Sequence, residues 1–181
     1  SLPNLSIHNP GSRLEAEFIL KSMFKSNRPS FARLGKSPDM DFYKKIINST
    51  NDLILTKGND LTIFTTGNIL ENVYKAVKNL EKDKGYKIKL ISIPTLKPAN
   101  EKFIIKNVNV PRVLSIEENI NIGGLGSLIA MSIFKYKKNK RIHFKSLSLE
   151  DIIHNKIGSQ DYLRKINKLN IENIKKLIIK F

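Results

Sequence analysis

Two acidic residues and a glycine cluster form the segment of the sequence whose residue types could do chemistry. Glu117 and Glu118 follow a β-branched run at residues 113–116, and a glycine cluster at residues 123–126 opens an apolar segment. This order predicts a strand, a tight turn and a helix. Glycines at such a turn permit close approach of the backbone, and the start of the helix offers free N–H groups to an anion. A phosphate site is therefore one interpretation of this segment.

The dinucleotide-binding fingerprint G-x-G-x-x-G is incomplete there, which favours a second interpretation. After Gly124 and Gly126 the third glycine position holds Ile129, and residues 143–145 contain no acid that could hold a ribose. We therefore expect the glycines to serve close packing. The two acids diverge, so one of them could face a cleft, but acidic side chains are mostly exposed and we expect a solvated strand end.

The remaining chemical motifs fail at positions that their chemistry requires. The Gly-Lys-Ser sequence at residues 35–37 is similar to a phosphate-binding P-loop, but Ser30 occupies its first glycine position. His8, His143 and His154 lack the i, i+4 spacing of a zinc-binding helix. No complete Ser-His-Asp triad and no pair of catalytic carboxylates can be assembled from the spacing of these residues alone. The residues alone therefore predict no catalytic group and no metal site.

The elements that must position these residues alternate between strand and helix from Asp60 onward. Strands are predicted at residues 61–64, 87–93, 112–116 and 141–147, and helices at residues 69–85, 101–105, 127–134, from 148, at 161–166 and from 171. Strands that alternate with helices at this spacing form a mostly parallel sheet with right-handed crossovers. The predicted fold is α/β, with a mixed, mostly parallel five-stranded sheet and helices on both faces.

A strand-helix-strand unit precedes this predicted sheet. Predicted strands at residues 5–7 and 30–34 flank a helix that Ser12 caps. Residues 1–36 are too few to bury a core alone, so this unit is expected to need a partner domain.

The stretch between the two units is predicted to be a linker. Residues 37–59 contain prolines, glycines and a possible helix near residues 41–47, and they are expected to end in a small hairpin. The expected divisions of the chain are therefore 1–36, 37–59 and 60–181.

The charge of the chain limits its possible partners. The 181 residues include 32 Lys and Arg against 16 Asp and Glu, which gives a net charge of +16. Such a balance ordinarily suggests nucleic acid, but the lysines are spread over predicted helices and loops, apart from one run at residues 135–141. No aromatic RNA-binding signature or zinc finger accompanies them. We do not expect nucleic-acid binding.

Cysteine usage and hydropathy bear on the compartment. The chain contains no Cys, so neither a disulfide nor a thiolate metal site is possible. No apolar run reaches the roughly 18 residues that span a bilayer, and the first residues lack the features of a signal peptide. We expect a soluble, cytoplasmic protein that does not contact a membrane.

Four segments, in this order, resemble the C-terminal domain of transketolase-like thiamine diphosphate enzymes. Residues 60–67 resemble its opening strand and turn, and residues 91–98 its second strand with a proline exit. Residues 114–127 are similar to its acid pair and glycine turn, and residues 158–174 to its terminal helices. The order and spacing of four motifs are far more specific than one motif. Residues 1–36 resemble the end of the preceding pyrimidine-binding domain.

The resemblance implies the C-terminal portion of a transferase that moves a two-carbon ketol unit between sugar phosphates. No cofactor is expected in this fragment, because the family's cofactor-activating Glu and metal motif have no counterpart here. Thiamine diphosphate and Mg²⁺ are expected in the complete enzyme. The missing upstream domains would come from the same polypeptide or a separate subunit, and the complete enzyme is expected to be a homodimer. The isolated chain is expected to be inactive.

The resemblance also assigns two substrate-phosphate positions. The family places an Arg seven residues after the proline that matches Pro29, and Lys36 stands there. Lys offers a point charge instead of a bidentate fork, so phosphate recognition would be looser. Deoxyxylulose-phosphate synthases also carry an Arg at the position of Arg33. A solvated basic pair is the alternative for both residues.

Two other functions remain open. Within the family, the chain could belong to the beta subunit of a 2-oxo acid dehydrogenase or to a deoxyxylulose-phosphate synthase, which share this domain. Outside catalysis, the same fold could serve as a non-catalytic interaction or dimerisation module.

Overall fold

Short strands and helices alternate along most of the chain. The structure is a computed structural model, and it describes residues 2–35, 42–43, 45–137, 141–152 and 155–181. In chain order the elements are β1 Ser6–His8, α1 Arg13–Phe24, β2 Ser30–Ala32, β3 Ile54–Thr56, β4 Leu61–Thr66, α2 Leu70–Lys84, β5 Ile88–Ser92, β6 Thr95–Lys97, α3 Glu101–Asn107, β7 Arg112–Ile120, α4 Leu125–Tyr136, β8 His143–Leu149, α5 Gln160–Ile166 and α6 Ile171–Lys180. Within these described ranges, no helix has both the length and the apolar character to cross a membrane.

A five-stranded sheet forms the centre of the fold. Its strand order is β3-β5-β4-β7-β8, with β3 antiparallel to β5 and the other neighbouring pairs parallel. From β4 the chain adds β5 on one side, and it later crosses to add β7 and β8 on the other side. The sheet therefore has a topological switch point between β4 and β7. The predicted α/β fold is confirmed.

Helices cover both faces of this sheet because its inner strand is apolar on both sides. Every residue of β4 is buried. Leu61 and Ile63 belong to a cluster with α2 and α6, whereas Phe64 belongs to a cluster with α3 and α4 on the opposite face. Side chains alternate between the faces of a strand, so the buried apolar residues of β4 contribute to two separate cores.

The strand-helix-strand unit at the start of the chain shares a sheet with a later segment. β1 and β2 are parallel, and β6 adds to β1 in the antiparallel direction, so the order is β2-β1-β6. The register pairs Ile7 with Lys97 and His8 with Thr95. The predicted helix cap is confirmed, since the Glu15 N–H donates to Ser12 Oγ at 3.2 Å. The first unit is thus joined through β6 to the segment that follows β5. The sequence pattern did not predict β6.

The predicted hairpin at the end of the linker is wrong. β3 pairs with β5 and not with its sequence neighbour β4. Gly58 lies so close to the Lys87 carbonyl that a Cβ there would overlap it, and the Asp60 N–H donates to the Lys87 oxygen at 2.9 Å. Because β4 is enclosed between β5 and β7, β3 can join the sheet only at its outer edge.

Two predicted helices are also wrong. The helix predicted from residue 148 does not form over the described residues 148–152, because β8 continues through Leu149, which pairs with Ile120. Of the helix predicted near residues 41–47, Asp41 and Lys44 lie outside the described residues, and the others are not helical.

Candidate functional site

Glu117 fills the N-terminus of α4. Its side chain is fully buried, and its two oxygens accept hydrogen bonds from the N–H groups of Leu125 and Gly126, each at 2.8 Å. Burial raises the pKa of Glu117 above its ordinary value, and the two N–H donors oppose that shift. The expectation of a solvated strand end is wrong for this residue, because the turn after β7 folds the helix start back onto the carboxylate.

The glycine cluster serves this contact. A Cβ on Gly124 would overlap the Glu117 carboxylate and would lie 2.7 Å from the Ile120 carbonyl oxygen. The interpretation of the glycines as residues for close packing is therefore confirmed for Gly124 and Gly126, whereas Gly123 has a φ of 74° and no atom within 4 Å of its Cβ position. An anion at this helix start would have to displace the protein's own carboxylate, so this segment is not the place for a phosphate site.

Glu118 points the other way and is held by an arginine of α5. Arg164 Nε donates to Oε1 at 2.9 Å, and its Nη2 donates to Oε2 at 2.8 Å. Only 5% of the Arg164 surface is exposed, so the pair is largely screened from water. Arg33 Nη1 donates to the backbone oxygen of Glu118 at 3.1 Å. The solvated interpretation is therefore wrong for the second acid as well.

These residues line a cleft at the carboxyl ends of β4, β7 and β8. The cleft has a volume of about 620 Å³. Cationic and apolar side chains lie next to each other in its lining, which includes Arg33, Lys156, Arg164, Leu149 and Leu163. Glu118 is the one carboxylate among the described lining residues. The cleft can therefore offer both positive charge and apolar surface to a small molecule.

The first strand-helix-strand unit forms one wall of this cleft. The backbone oxygen of Asn9, just after β1, accepts hydrogen bonds from Thr66 Oγ1 at 3.1 Å and from the Gly67 N–H at 2.9 Å. Gly67 has a φ of 71°, and a Cβ there would lie 2.7 Å from Asn9 Oδ1. Glycine is thus needed at residue 67 for both its backbone conformation and its packing. A Cβ on Gly35 would overlap the Asn68 amide.

The structure places one of the two predicted phosphate-binding residues in the cleft. Arg33 is exposed at its rim, and Gly35 also lines it. Lys36 lies outside the described residues, so its position relative to Arg33 stays a prediction.

The two histidines that the structure describes lie in different sheets. His8 is buried, and its Nδ1 lies 3.0 Å from Thr95 Oγ1; burial lowers the pKa of this imidazole. His143 is exposed on β8, and His154 lies outside the described residues. The described part of the chain contains no group of three metal-ligating side chains.

Sequence reasoning missed a buried acid in α1. Glu15 is fully buried, its Oε2 accepts the Gly11 N–H at 2.7 Å, and the Tyr43 hydroxyl donates to its Oε1. Burial raises the pKa of Glu15. The position of Glu15, three residues after the capping Ser12, fits a capping box, but no local pattern predicts its burial.

Comparison with known proteins identifies the family. Residues 52–174 match the model of the transketolase C-terminal domain, which is more than half of the chain. The chain therefore belongs to the transketolase C-terminal domain family, as the resemblance in its motifs predicts.

The chain spans less than two thirds of the length of the two relatives and the solved structure described here. A Methanocaldococcus jannaschii protein described as a transketolase C-terminal section is 26% identical, over 99% of this chain and 56% of the relative. A 1-deoxy-D-xylulose-5-phosphate synthase of Clostridium perfringens is 26% identical, over 98% of this chain and 29% of that enzyme. The structure of a split-gene transketolase, an inactive beta4 tetramer, superposes with a TM-score of 0.82 at 22% identity, over 99% of this chain and 57% of that chain. The likeness to this last protein concerns the fold alone.

Proposed function

We propose that this chain is the C-terminal portion of a thiamine diphosphate-dependent, transketolase-like transferase. The observation that carries the proposal is the match of 99% of the chain to a relative described as a transketolase C-terminal section. The complete enzyme would move a two-carbon ketol unit between sugar phosphates. Thiamine diphosphate, once bound, supplies the electron sink for this chemistry, and the protein supplies binding and orientation.

We place the cofactor outside the described residues of this chain. The N-terminus of α4, which could otherwise bind a diphosphate, is filled by Glu117. Upstream domains, in the same polypeptide or in a separate subunit, would therefore bring the cofactor and Mg²⁺.

The proposal divides the chain into three parts. Residues 1–36 would be the end of a pyrimidine-binding domain, residues 37–59 a linker, and residues 60–181 the C-terminal domain. The parallel pairing of β1 with β2 supports the first division, and β6 of the third part adds to the same sheet. A homodimer and a cytoplasmic location of the complete enzyme stay predictions.

Arg33 and Lys36 would hold the phosphate of the sugar substrate. Support for Arg33 comes from its exposed guanidinium, whose one contact shown is a neutral backbone oxygen, that of Glu118. A phosphate could replace that oxygen without stranding a buried charge.

Reconstitution tests the proposed function. The chain is mixed with the upstream region encoded in the same organism, and ketol transfer to ribose 5-phosphate is measured with thiamine diphosphate and Mg²⁺. We expect transfer from the mixture and none from either part alone. Transfer by this chain alone would contradict the proposal, and so would an inactive mixture in which a complex has been shown to form and bind the cofactor.

The Clostridium perfringens relative favours a second candidate, a deoxyxylulose-phosphate synthase. The same mixture, supplied with pyruvate and glyceraldehyde 3-phosphate, separates the two reactions. A 2-oxo acid dehydrogenase beta subunit would instead bind an acyltransferase core. A mixture that forms a stable complex but binds no cofactor would indicate an interaction module.

A further inference from the structure

The outer edge of β8 is the longest open strand edge among the described residues. β8 ends the five-stranded sheet and has seven residues, whereas the strands at the other sheet edges, β2, β3 and β6, have three residues each. The sequence of β8 contains no proline, which would prevent pairing with a further strand. An open edge presents a row of backbone N–H and C=O groups to which a strand of another chain can bind.

The register of β8 shows which of its backbone groups face outward. The His143 N–H donates to the Pro111 oxygen at 2.7 Å, where β7 and β8 run parallel, so the backbone groups of His143 point toward β7. These groups alternate along the strand, and those of Phe144, Ser146 and Ser148 therefore point away from the sheet. In the described part of the chain, no backbone hydrogen bond joins these three residues to a segment beyond β8.

The outward groups are symmetric about the middle of β8. Ser146 is its central residue, and Phe144 and Ser148 lie two residues away on either side. A second copy related by a two-fold axis at Ser146 would run antiparallel and would pair Phe144 with Ser148 of that copy. Such a pairing forms about six backbone hydrogen bonds. It places Lys145 opposite Leu147, so no two like charges lie directly opposite each other.

Charge favours a second copy in this antiparallel orientation. Arg141 precedes β8, and Glu150 and Asp151 follow it, all three with exposed side chains. In the antiparallel pair the basic start of each β8 lies beside the acidic end of the other. A parallel pair would bring like charges together at both ends, which is destabilising.

α4 fits the same two-fold arrangement on one face of the sheet. It packs on both β7 and β8, and a Cβ on Gly126 would overlap Ser146 Oγ. Residues four apart share a helix face, so Ala130 and Phe134 also lie on the β8 side of α4, and 75% of Phe134 is exposed. With neighbouring strands about 4.8 Å apart, a helix that lies above β7 and β8 would be about 10 Å from its copy across the axis. Packed helices have axes about 8–10 Å apart.

We propose that a second copy of this chain binds along the outer edge of β8. The two five-stranded sheets form one continuous sheet across a two-fold axis at Ser146, and Phe134 of each copy packs against α4 of the other. The paired edge is about 23 Å long. An interface of this size is at the small end of specific interfaces, so we expect a reversible dimer with a dissociation constant in the micromolar range.

The inference goes beyond the proposed ketol transfer and does not depend on it. The described residues of this chain supply the whole surface, and the dimer is measured on this chain alone. Ketol transfer is measured on the mixture with the upstream region, so the two proposals can fail separately.

Sedimentation equilibrium of the isolated chain at physiological ionic strength tests the inference. Over concentrations from about 1 µM to about 100 µM, we expect a reversible equilibrium between monomer and dimer. A chain that remains monomeric over this range would overturn the inference.

Matched variants identify the surface that forms the dimer. Phe134→Lys is expected to weaken the dimer at least about tenfold, because two added ammonium groups would repel each other near the axis. Phe24→Lys is the control, since Phe24 is 88% exposed on α1, and it should leave the dissociation constant unchanged. Equal effects of the two variants would overturn the inference.

A backbone variant tests the strand pairing itself. Ser148→Pro removes an outward N–H and leaves the groups that pair with β7 in place, so we expect it to weaken the dimer about tenfold. An unchanged dissociation constant would contradict pairing at this edge. Thermal unfolding establishes that each variant is folded before its association is measured.

A distance measurement identifies the register. The chain contains no Cys, so Lys145→Cys provides a single site for a nitroxide label on the exposed Lys145 position. Lys145 and its equivalent in the second copy are diagonal neighbours across the axis, with backbones about 7–8 Å apart, so the labels should lie within about 20 Å of each other. A dimer whose labels lie more than about 30 Å apart would overturn the inference, because its copies would pair at another surface.

Discussion

Adjacent residues near the end of β7 create two different environments for an anion. Glu117 turns toward α4 and places the protein's own carboxylate on the N–H groups of the helix start. Glu118 turns into the cleft, where Arg164 neutralises it while Arg33 and Lys156 remain available. A strand followed by glycines and a helix is a pattern that predicts an anion-binding site. Here the Glu117 carboxylate of the protein itself occupies that site. Such a site binds an external anion only where the protein does not place a negatively charged side chain of its own there.

Breaking the Glu118–Arg164 pair should give the largest loss of stability. Arg164→Ala would leave the Glu118 carboxylate, which is only 20% exposed, without its partner. Removing one member of a buried pair costs about 3 kcal/mol or more, and urea unfolding measures it.

An exposed pair provides the control for this loss. Arg13 and Glu17 lie one helical turn apart in α1, with 70% and 44% of their side chains exposed. Arg13→Ala should cost no more than about 1 kcal/mol. Equal costs for the two variants would show that the cleft wall does not depend on the buried pair.

The second-largest loss of stability is expected from crowding the Glu117 carboxylate at the start of α4. Gly124→Ala would force a methyl group against the Glu117 carboxylate and the Ile120 carbonyl, at a cost of about 2 kcal/mol. Gly123→Ala is the control, because its Cβ would meet no atom within 4 Å and only the φ of 74° opposes it. That strain costs about 1 kcal/mol. A smaller loss for Gly124→Ala than for Gly123→Ala would contradict the close packing.

The raised pKa of Glu117 predicts a pH dependence with a definite sign. The folded state holds the proton to higher pH than the unfolded state, because burial disfavours the charge. The stability of the chain relative to Glu117→Gln should therefore fall as pH rises from the ordinary carboxyl pKa through the raised one. Urea unfolding from about pH 4 to about pH 8 measures this difference.

Glu172→Gln supplies the baseline for this measurement, since 65% of the Glu172 side chain is exposed. The difference in unfolding free energy between the parent chain and Glu172→Gln should not show the fall with rising pH that is expected for Glu117→Gln. A constant difference for Glu117→Gln would mean that the buried carboxylate titrates as it does in the unfolded chain.

The smallest effect on stability should come from the cations at the cleft. Arg33 and Lys156 are exposed, so Arg33→Ala and Lys156→Ala should stay within about 0.5 kcal/mol of the parent chain. Thermal unfolding checks both. A loss well above 1 kcal/mol would assign these side chains to the structure of the cleft wall instead of to a ligand.

The main sheet could be predicted because its inner strands carry apolar residues on both faces. β4 and β5 show this pattern, and Ser12 marks the start of α1. β6 could not be predicted, since three partly buried residues between two prolines carry no period of their own. A capping pattern at residue 148 was misleading because pairing with β7 extends β8 through it.

The candidate site was predicted only in part. The glycine cluster and both acids were found from their spacing, but their surroundings were not, because the partners come from distant positions. Arg164 lies 46 residues from Glu118 and Arg33 lies 85 residues from it, and no local pattern joins them. Arg33 itself was reached through the family resemblance and not through its own sequence context.

The contrast between the two environments can be tested directly by following backbone amide resonances during titration with ribose 5-phosphate. We predict that amides lining the cleft, such as those of Asn68 and Gln160, shift in a saturable manner. The amides of Leu125 and Gly126, which donate to Glu117, should not move. Saturable shifts at Leu125 and Gly126 with an unperturbed cleft would contradict the account, because the ligand would then bind at the helix start that we describe as closed.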